Sequence, residues 1–151
     1  MKTDILILVE SKERELESAC LLSEELKRRG YQVVIESVYP NKEKYIFKYA
    51  PSLIVTPWVY NDNDMKYFGC FYIHRHTQIL NLHHEQYSGN DLENACLPKN
   101  EARKVYHISW GNEFSAELEA TGCQNNDICQ SGNIRLDFLK KRFRKMSMCR
   151  D

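Results

Sequence analysis

Glycine is scarce in this chain, and the spacings by which glycine usually binds nucleotides are absent. The sequence has six glycines in 151 residues, without a G-x-G-x-x-G pattern after the first predicted strand and without a G-x-x-x-x-G-K-[ST] loop. Those patterns allow the backbone to approach a pyrophosphate closely. Their absence argues against a dinucleotide-binding domain and excludes P-loop chemistry.

Charge of one sign, paired cysteines and long apolar runs are also lacking. Lysine plus arginine and aspartate plus glutamate both number 21, so no general attraction to nucleic acid or to acidic membranes is expected. The six cysteines include no C-x-x-C pair, which argues against a zinc ribbon or a disulfide scaffold and predicts reduced thiols. The apolar run Ile5 to Val9 is too short to span a bilayer or to form a secretory core, so a cytoplasmic location is expected.

What the sequence does contain is a repeated alternation of strand and helix signals. Asp4 to Val9 is a wholly apolar strand, Glu13 to Arg29 has apolar residues at helical spacing before Gly30, and Tyr31 to Val38 is rich in β-branched residues. This is the length of a right-handed βαβ crossover. Further predicted helices are Lys42–Tyr49, Asp64–Arg75, Glu113–Ala120 and Leu136–Met146, and further predicted strands are Leu53–Thr56, Gln78–Leu82, Lys104–Ser109 and Ile128–Ser131.

These elements predict one α/β domain over residues 1–151. The expected architecture is a Rossmann-like parallel sheet of about six strands with helices on both faces, in three α/β/α layers. In such sheets ligands bind outside the carboxyl ends of the strands. Polar residues follow four of the predicted strands, namely Glu10-Ser11, His83-His84-Glu85, Trp110-Gly111-Asn112 and Gly132-Asn133.

The segment His83-His84-Glu85 is the strongest candidate for catalysis. A histidine can take a proton from a hydroxyl near neutral pH, and a neighbouring carboxylate such as Glu85 can orient the imidazole. The alternative is that alternation along an extended segment turns one histidine into the core and leaves the other hydrogen-bonded in a loop. Position after a buried strand favours the functional reading.

Two glycine-containing turns are weaker candidates for binding an anion. Ser109-Trp110-Gly111-Asn112 precedes a predicted helix, whose free N–H groups favour a phosphate, although a turn also uses glycine for conformational reasons. After Gly132-Asn133, Arg135 can grip an anion and Asp137 can cap the final helix, or the two can simply pair at the surface.

Metal binding and membrane contact have less support in the sequence. His74, His76 and Cys70 lack a recognisable ligand spacing with the other histidines, so no metal is expected. The basic cluster Lys140 to Lys145 suits a lipid-linked phosphate or an anionic membrane surface, but such a cluster is more often a solvated helix face. Peripheral contact with the inner face of the membrane is the most that this cluster predicts.

Several short segments, taken in order, resemble one protein family. They are Ile5-Leu6-Ile7-Leu8-Val9-Glu10 with Arg14-Glu15-Leu16, Pro57-Trp58 with Tyr60-Asn61, Leu82-His83-His84-Glu85-Gln86, Val105-Tyr106-His107-Ile108-Ser109-Trp110-Gly111, and Ser131-Gly132-Asn133-Ile134-Arg135-Leu136-Asp137-Phe138. Over nearly its whole length the chain resembles bacterial surface carbohydrate biosynthesis proteins of GT-B glycosyltransferase type, which are distantly related to CDP-glycerol glycerophosphotransferases. Ile134 and Ser131 depart from the proline and threonine of the family pattern.

The resemblance implies the amino-terminal, acceptor-side half of a two-domain transferase. It implies a nucleotide-activated sugar or polyol as co-substrate, no bound cofactor, and a carbohydrate or lipid-linked acceptor. His84 or His83 would be the base, and Glu10 and Arg14 join the strand-end residues in substrate binding. The donor-binding domain that the family carries is absent, which leaves a truncation or a split enzyme with a separate donor-binding chain as expectations.

A non-catalytic binding module similar to flavodoxins or response regulators is the alternative. Such a module would use the same edge of the sheet to hold a ligand or a partner. A phosphoacceptor site would require an acidic cluster after the first strand and a lysine after the fifth, whereas Glu10-Ser11 and Trp110 occupy these positions.

Overall fold

The computed structural model describes residues 3–40, 42–84 and 96–139. The predicted loop over residues 89–91 and the basic cluster Lys140–Lys145 lie outside the described residues. The strands are β1 (Ile5–Val9), β2 (Val33–Ser37), β3 (Leu53–Thr56), β4 (Gln78–Asn81), β5 (Tyr106–Ser109) and β6 (Ile128–Gln130). The α-helices are α1 (Lys12–Arg28), α2 (Lys42–Tyr49), α3 (Asp62–Arg75) and α4 (Asn112–Ala120). Short 3₁₀ turns cover Asn100–Lys104, Asn125–Asp127 and Ile134–Leu139.

All six strands join one parallel sheet in the order β2-β1-β3-β4-β5-β6. The predicted Rossmann-like α/β class with helices on both faces is therefore confirmed. The strand order reverses direction between β1 and β3, because the chain first moves to β2 on one side of β1 and then returns to β3 on the other. At such a switch point the loops leaving the strands diverge and open a crevice.

Alternation along β1 explains why this strand is wholly apolar. Ile5, Ile7 and Val9 pack with the leucines of α1, whereas Leu6 and Leu8 pack with α2 and α3 on the opposite face. All five residues of β1 are buried. A strand covered on both faces cannot afford a polar side chain on either.

Helix α1 begins and ends close to its predicted limits. Ser11 caps its first turn, and Gly30 follows it with a φ of 95°, which favours glycine. Not every apolar residue at helical spacing is buried, because Cys20 is exposed while Ser18, Ala19 and Ser23 are buried. Small side chains face the sheet, and the leucines flank this contact.

Two predictions in the second half of the chain require correction. The strand predicted over Lys104–Ser109 begins at Tyr106, because Asn100–Lys104 forms a 3₁₀ turn that buries Ala102 against the core. The described start of the predicted helix Leu136–Met146 belongs to a 3₁₀ turn over Ile134–Leu139. In the part of the chain that is described, no helix has the length and apolarity needed to cross a bilayer.

Candidate functional site

The parallel sheet brings the predicted strand-end residues to one edge. His84, Trp110 and Gly132 follow β4, β5 and β6, which are direct neighbours. Glu10 follows β1, which β3 separates from β4. Three of the four predicted polar segments therefore adjoin one another, and the first lies apart at the switch point.

A small cavity of about 140 Å³ unites these three neighbouring segments. Its polar lining comes from His84, Trp110, Ser131, Gly132 and Asn133. Aliphatic side chains from α1, β4, β5, the residue Leu82 and the start of the last 3₁₀ turn form the remainder of its wall. The cavity is smaller than a typical ligand pocket of roughly 300–1,000 Å³, so it has room for only part of a ligand.

His84 lies beside this cavity and is half-buried. Its backbone N–H donates to the carbonyl of Pro57 at 3.1 Å, which ties the start of the loop to the end of β3. Its side chain lines the cavity. His84 is therefore placed where a bound hydroxyl group could reach an imidazole, whereas Glu85 lies outside the described residues.

His83 points in the opposite direction and is completely buried. Its Nε2 lies 2.8 Å from Nδ1 of His107, and the rings of Tyr60 and Phe114 pack against it with centroids 5.7 and 5.0 Å away. The φ of His83 is 48°, a left-handed conformation that turns the chain after Leu82. A side chain in this position does not contact a substrate, so this geometry leaves His84 as the candidate base.

Asn81 holds the backbone of the buried His83 through a hydrogen bond. Its Nδ2 donates to the carbonyl of Val59 at 2.8 Å, and its Oδ1 accepts from the backbone N–H of His83 at 3.1 Å. Asn81 is fully buried and pairs with His107 in the register between β4 and β5. A buried amide group needs hydrogen-bond partners. The bond from the backbone of His83 to Asn81 therefore helps to hold His83 in its left-handed conformation.

Burial keeps the two paired imidazoles neutral. Burial lowers the pKa of His107 to about 4, although the nearby carbonyls of Arg103 and Ala102 act in the opposite direction. Burial, followed by the repulsion of a charged His107, lowers the pKa of His83 well below its ordinary value. The outer nitrogens, Nδ1 of His83 and Nε2 of His107, have no hydrogen-bond partner of good geometry among the described residues. One neutral ring must donate across this contact and the other accept: if His83 donates from Nε2, Nδ1 of His107 accepts and His107 carries its proton on Nε2.

The turn after β5 is held together by its own serines. The Ser109 hydroxyl donates to the carbonyl of Gly111 at 2.7 Å and accepts from Ser115 Oγ at 2.9 Å. Gly111 has a φ of −170°, which any residue adopts, and open space surrounds the position of an added Cβ. The turn therefore does not need glycine for its conformation. Ser109 is committed to the turn, and Asn112 is exposed at the first residue of α4.

After β6, Asn133 has a structural task in addition to lining the cavity. Its Oδ1 accepts from the backbone N–H of Arg135 at 2.9 Å, which begins the 3₁₀ turn. Gly132 has a φ of 81°, so a glycine is needed here for the turn. Arg135 is exposed and does not line the cavity, so this structure does not bring it to the predicted anion site.

The predicted binding residues Glu10 and Arg14 meet at the switch point instead. Arg14 Nη2 lies 3.4 Å from Glu10 Oε2 in a largely exposed ion pair. The backbone N–H of Glu10 donates to the buried carboxylate of Glu15 at 2.7 Å. These residues belong to a second polar region, separate from the cavity of His84.

Sequence reasoning missed the residue of greatest interest in this second region, Lys42. It is the first residue of α2, it follows β2, and only 7% of its surface is exposed. Its Nζ lies over the rings of Trp58 and Tyr67, with centroids 4.9 and 4.2 Å away. The rule that ligands bind after strands would have pointed to Lys42 and Trp58, had it been applied to β2 and β3 as well.

Within the described ranges, no cluster of three or more histidine, cysteine, aspartate or glutamate residues is arranged to hold a metal ion. Of the histidines weighed for a metal site, His76 is exposed and has a φ of 53°.

Comparisons with known proteins identify no relative of this chain. No family model matches the sequence. Neither the curated proteins nor the solved structures include a significant match.

Proposed function

We propose that this chain is the acceptor-side half of a GT-B-like transferase of bacterial surface polysaccharide biosynthesis. The reaction would move a sugar or a polyol phosphate from a nucleotide-activated donor to an acceptor hydroxyl. His84 would take the hydroxyl proton while the new bond to oxygen forms and the nucleotide leaves with the electrons of the broken bond. A second, donor-holding domain or chain is required to complete the site.

One observation carries this proposal: three distant segments of the resemblance meet at a single cavity. His84, Trp110 and the stretch Ser131–Asn133 line it together, although about fifty residues separate the first from the last. A half-buried imidazole that shares a cavity with an indole ring and the polar turn Ser131–Asn133 suits the recognition of a polar, hydroxyl-bearing molecule. The cavity's small volume supports a site that is shared with another domain.

The chemistry assigned to the other residues follows from their positions. Gly111 lies beside open space immediately before α4, and the positive end of this helix favours a phosphate oxygen. Asn112 shares this position, whereas the location of Arg135 makes a direct contact with the same phosphate less favourable. Glu85 keeps its proposed role of orienting His84.

The test is a transfer assay with matched histidine variants. The chain is combined with the product of the adjacent gene and supplied with labelled UDP-, GDP- and CDP-activated sugars or glycerol and a lipid-linked sugar acceptor, which offers free hydroxyl groups. His84→Asn should lower kcat about a hundredfold or more, as expected for loss of a general base. His76→Asn is the control, because His76 is an exposed histidine outside both polar regions. Turnover that survives His84→Asn would remove His84 from the mechanism.

The strand order favours a second candidate, a non-catalytic flavodoxin-like binding module. The first five strands follow the order 2-1-3-4-5 that flavodoxins use to hold a ligand at the switch point between β1 and β3. Titration of the chain alone with flavin and with nucleotides, followed by the emission of Trp58 and Trp110, separates the candidates. Tight flavin binding without any transfer activity would favour the binding module.

A further inference from the structure

The switch point between β1 and β3 contains a buried lysine to which the proposed transferase mechanism gives no role. The loops after β1, β2 and β3 meet there and carry Glu10, Lys42 and Trp58, respectively. Lys42 reaches from the start of α2 towards the first two turns of α3, where Tyr67 and Phe68 lie. The described residues at this switch point therefore include a buried cation and an aromatic wall.

Among the described residues, Lys42 has aromatic neighbours but no acidic partner in contact. Its Nζ lies 4.2, 4.9 and 5.7 Å from the ring centroids of Tyr67, Trp58 and Phe68. Among residues 3–40, 42–84 and 96–139, no hydrogen bond or ion pair joins this Nζ to a protein group. Rings attract the cation but accept its three N–H donors poorly, so the donors remain available for oxygen atoms.

The carboxylates that face Lys42 are already engaged elsewhere or lie on its own helix. Asp64, in the first turn of α3, accepts the backbone N–H groups of Tyr60 and Asn61 at 2.8 and 3.3 Å. Glu10 pairs with Arg14, and Glu43 follows Lys42 in α2. Burial lowers the pKa of Lys42 in spite of the opposing charges of Glu43, Asp64 and Glu10.

The position of Lys42 in the first turn of α2 is also electrostatically unfavourable. The first turn of a helix presents free N–H groups and a partial positive charge, which disfavours a cation and favours an anion. A buried ammonium group without an acidic contact is unfavourable for the same electrostatic reason. A bound anion would offset both the partial positive charge of the helix end and the charge of the buried ammonium group.

We propose that Lys42, backed by Trp58 and Tyr67, binds a phosphoryl group of a ligand that enters the crevice between β1 and β3. A phosphoryl group offers several acceptor oxygens to the ammonium donors and to the first backbone N–H groups of α2. The indole and phenol rings exclude water from one side and strengthen this contact. The site is independent of His84, so it does not rest on the transferase proposal.

The test follows the two indole N–H resonances of the ¹⁵N-labelled chain by NMR. The Trp58 resonance is assigned with a Trp110→Phe sample, and Trp110 reports on the other cavity. Inorganic phosphate, uridine diphosphate and geranyl phosphate are titrated separately, which distinguishes a free, a nucleotide and a lipid-linked source. Lys42→Met and Lys42→Gln remove the charge, and Lys44→Met is the matched control because Lys44 is exposed two residues later on α2.

We expect at least one probe to shift Trp58 saturably with a Kd of about 1 mM or tighter, while Trp110 stays unchanged. Loss of a charge-assisted contact should weaken this Kd about tenfold or more in both Lys42 variants and less than twofold in Lys44→Met. The proposal is overturned if no probe shifts Trp58, if only Trp110 shifts, or if both Lys42 variants retain the wild-type affinity while folded.

Discussion

Acidification should destabilise this protein through its buried histidine pair. His83 and His107 share one hydrogen bond and are fully buried, and burial lowers the pKa of both imidazoles below the ordinary value of 6.5. In the unfolded chain both rings are exposed and take up protons near that ordinary value. The unfolded state therefore binds more protons than the folded state below about pH 6.5, and the free energy of unfolding falls as pH falls.

The magnitude follows from the shift of His107. Its pKa moves from 6.5 to about 4, and each pKa unit corresponds to about 1.4 kcal/mol. His107 alone should remove about 2 kcal/mol of stability between about pH 7 and pH 5, and about 3 kcal/mol by about pH 4. His83 acts in the same direction. Such a loss is a large part of the stability of an ordinary domain, about 5–15 kcal/mol.

Urea unfolding at a series of pH values measures this effect. The double variant His83→Asn, His107→Gln should show a flatter dependence of unfolding free energy on pH, whatever its absolute stability. Asparagine suits position 83 because it tolerates the left-handed backbone found there. His76→Asn is the matched control, since His76 is exposed and has a similar φ of 53°. The free energy of unfolding of this control should fall on acidification as steeply as that of the wild type.

NMR on the unmodified protein provides an independent check. The Cε1–H resonance of His107 should begin to titrate only near about pH 4, provided that the chain remains folded. A folded protein in which His107 titrates near its ordinary pKa would refute the reasoning. The reasoning would also be refuted if the free energy of unfolding of the double variant fell with pH as steeply as that of the wild type.

Two further substitutions test the polar interior and the buried lysine by thermal and urea unfolding. Asn81→Leu should lower the free energy of unfolding by about 3 kcal/mol, because the carbonyl of Val59 and the N–H of His83 lose their partner; wild-type stability would contradict this. Lys42→Met should raise the melting temperature of the ligand-free protein, with a gain of about 1–2 kcal/mol, because an ion without an acidic contact leaves a buried position. A clear loss of stability would mean that the aromatic contacts outweigh desolvation.

The sheet could be predicted from the sequence because its strands carry strong local signals. The apolar run over Ile5–Val9 and the glycine after α1 are set by burial and by backbone conformation, and both act locally. The 3₁₀ turn Asn100–Lys104 has no such signal, since Ala102 enters the core through contacts made far along the chain. Tertiary packing determined that element.

The orientation of the two adjacent histidines was partly predictable. Side chains alternate across a strand, so one histidine had to follow Ile79 towards α3 and the other had to follow Leu80 towards α1. The inward partner could not be chosen from sequence alone, because His107 becomes a neighbour of His83 only through the pairing of β4 with β5. The position of Lys42 after β2 was a usable sequence signal, but its burial was not predictable, because Tyr67 and Phe68 approach it from α3.

The two polar regions occupy one edge of the sheet but differ in what they lack. The cavity of His84 has a half-buried imidazole and hydroxyl-sized space but no buried cation in its lining. The crevice of Lys42 has a buried cation but no histidine among its described contacts. The cavity of His84 lies on the α1 face of the sheet, whereas Lys42 packs with α3 on the opposite face, so a ligand that engages both must pass over the edge of the sheet. If one phosphorylated acceptor crosses this edge, anchored on Lys42 by its phosphoryl group and presenting a hydroxyl to His84, loss of Lys42 should raise KM while loss of His84 should lower kcat.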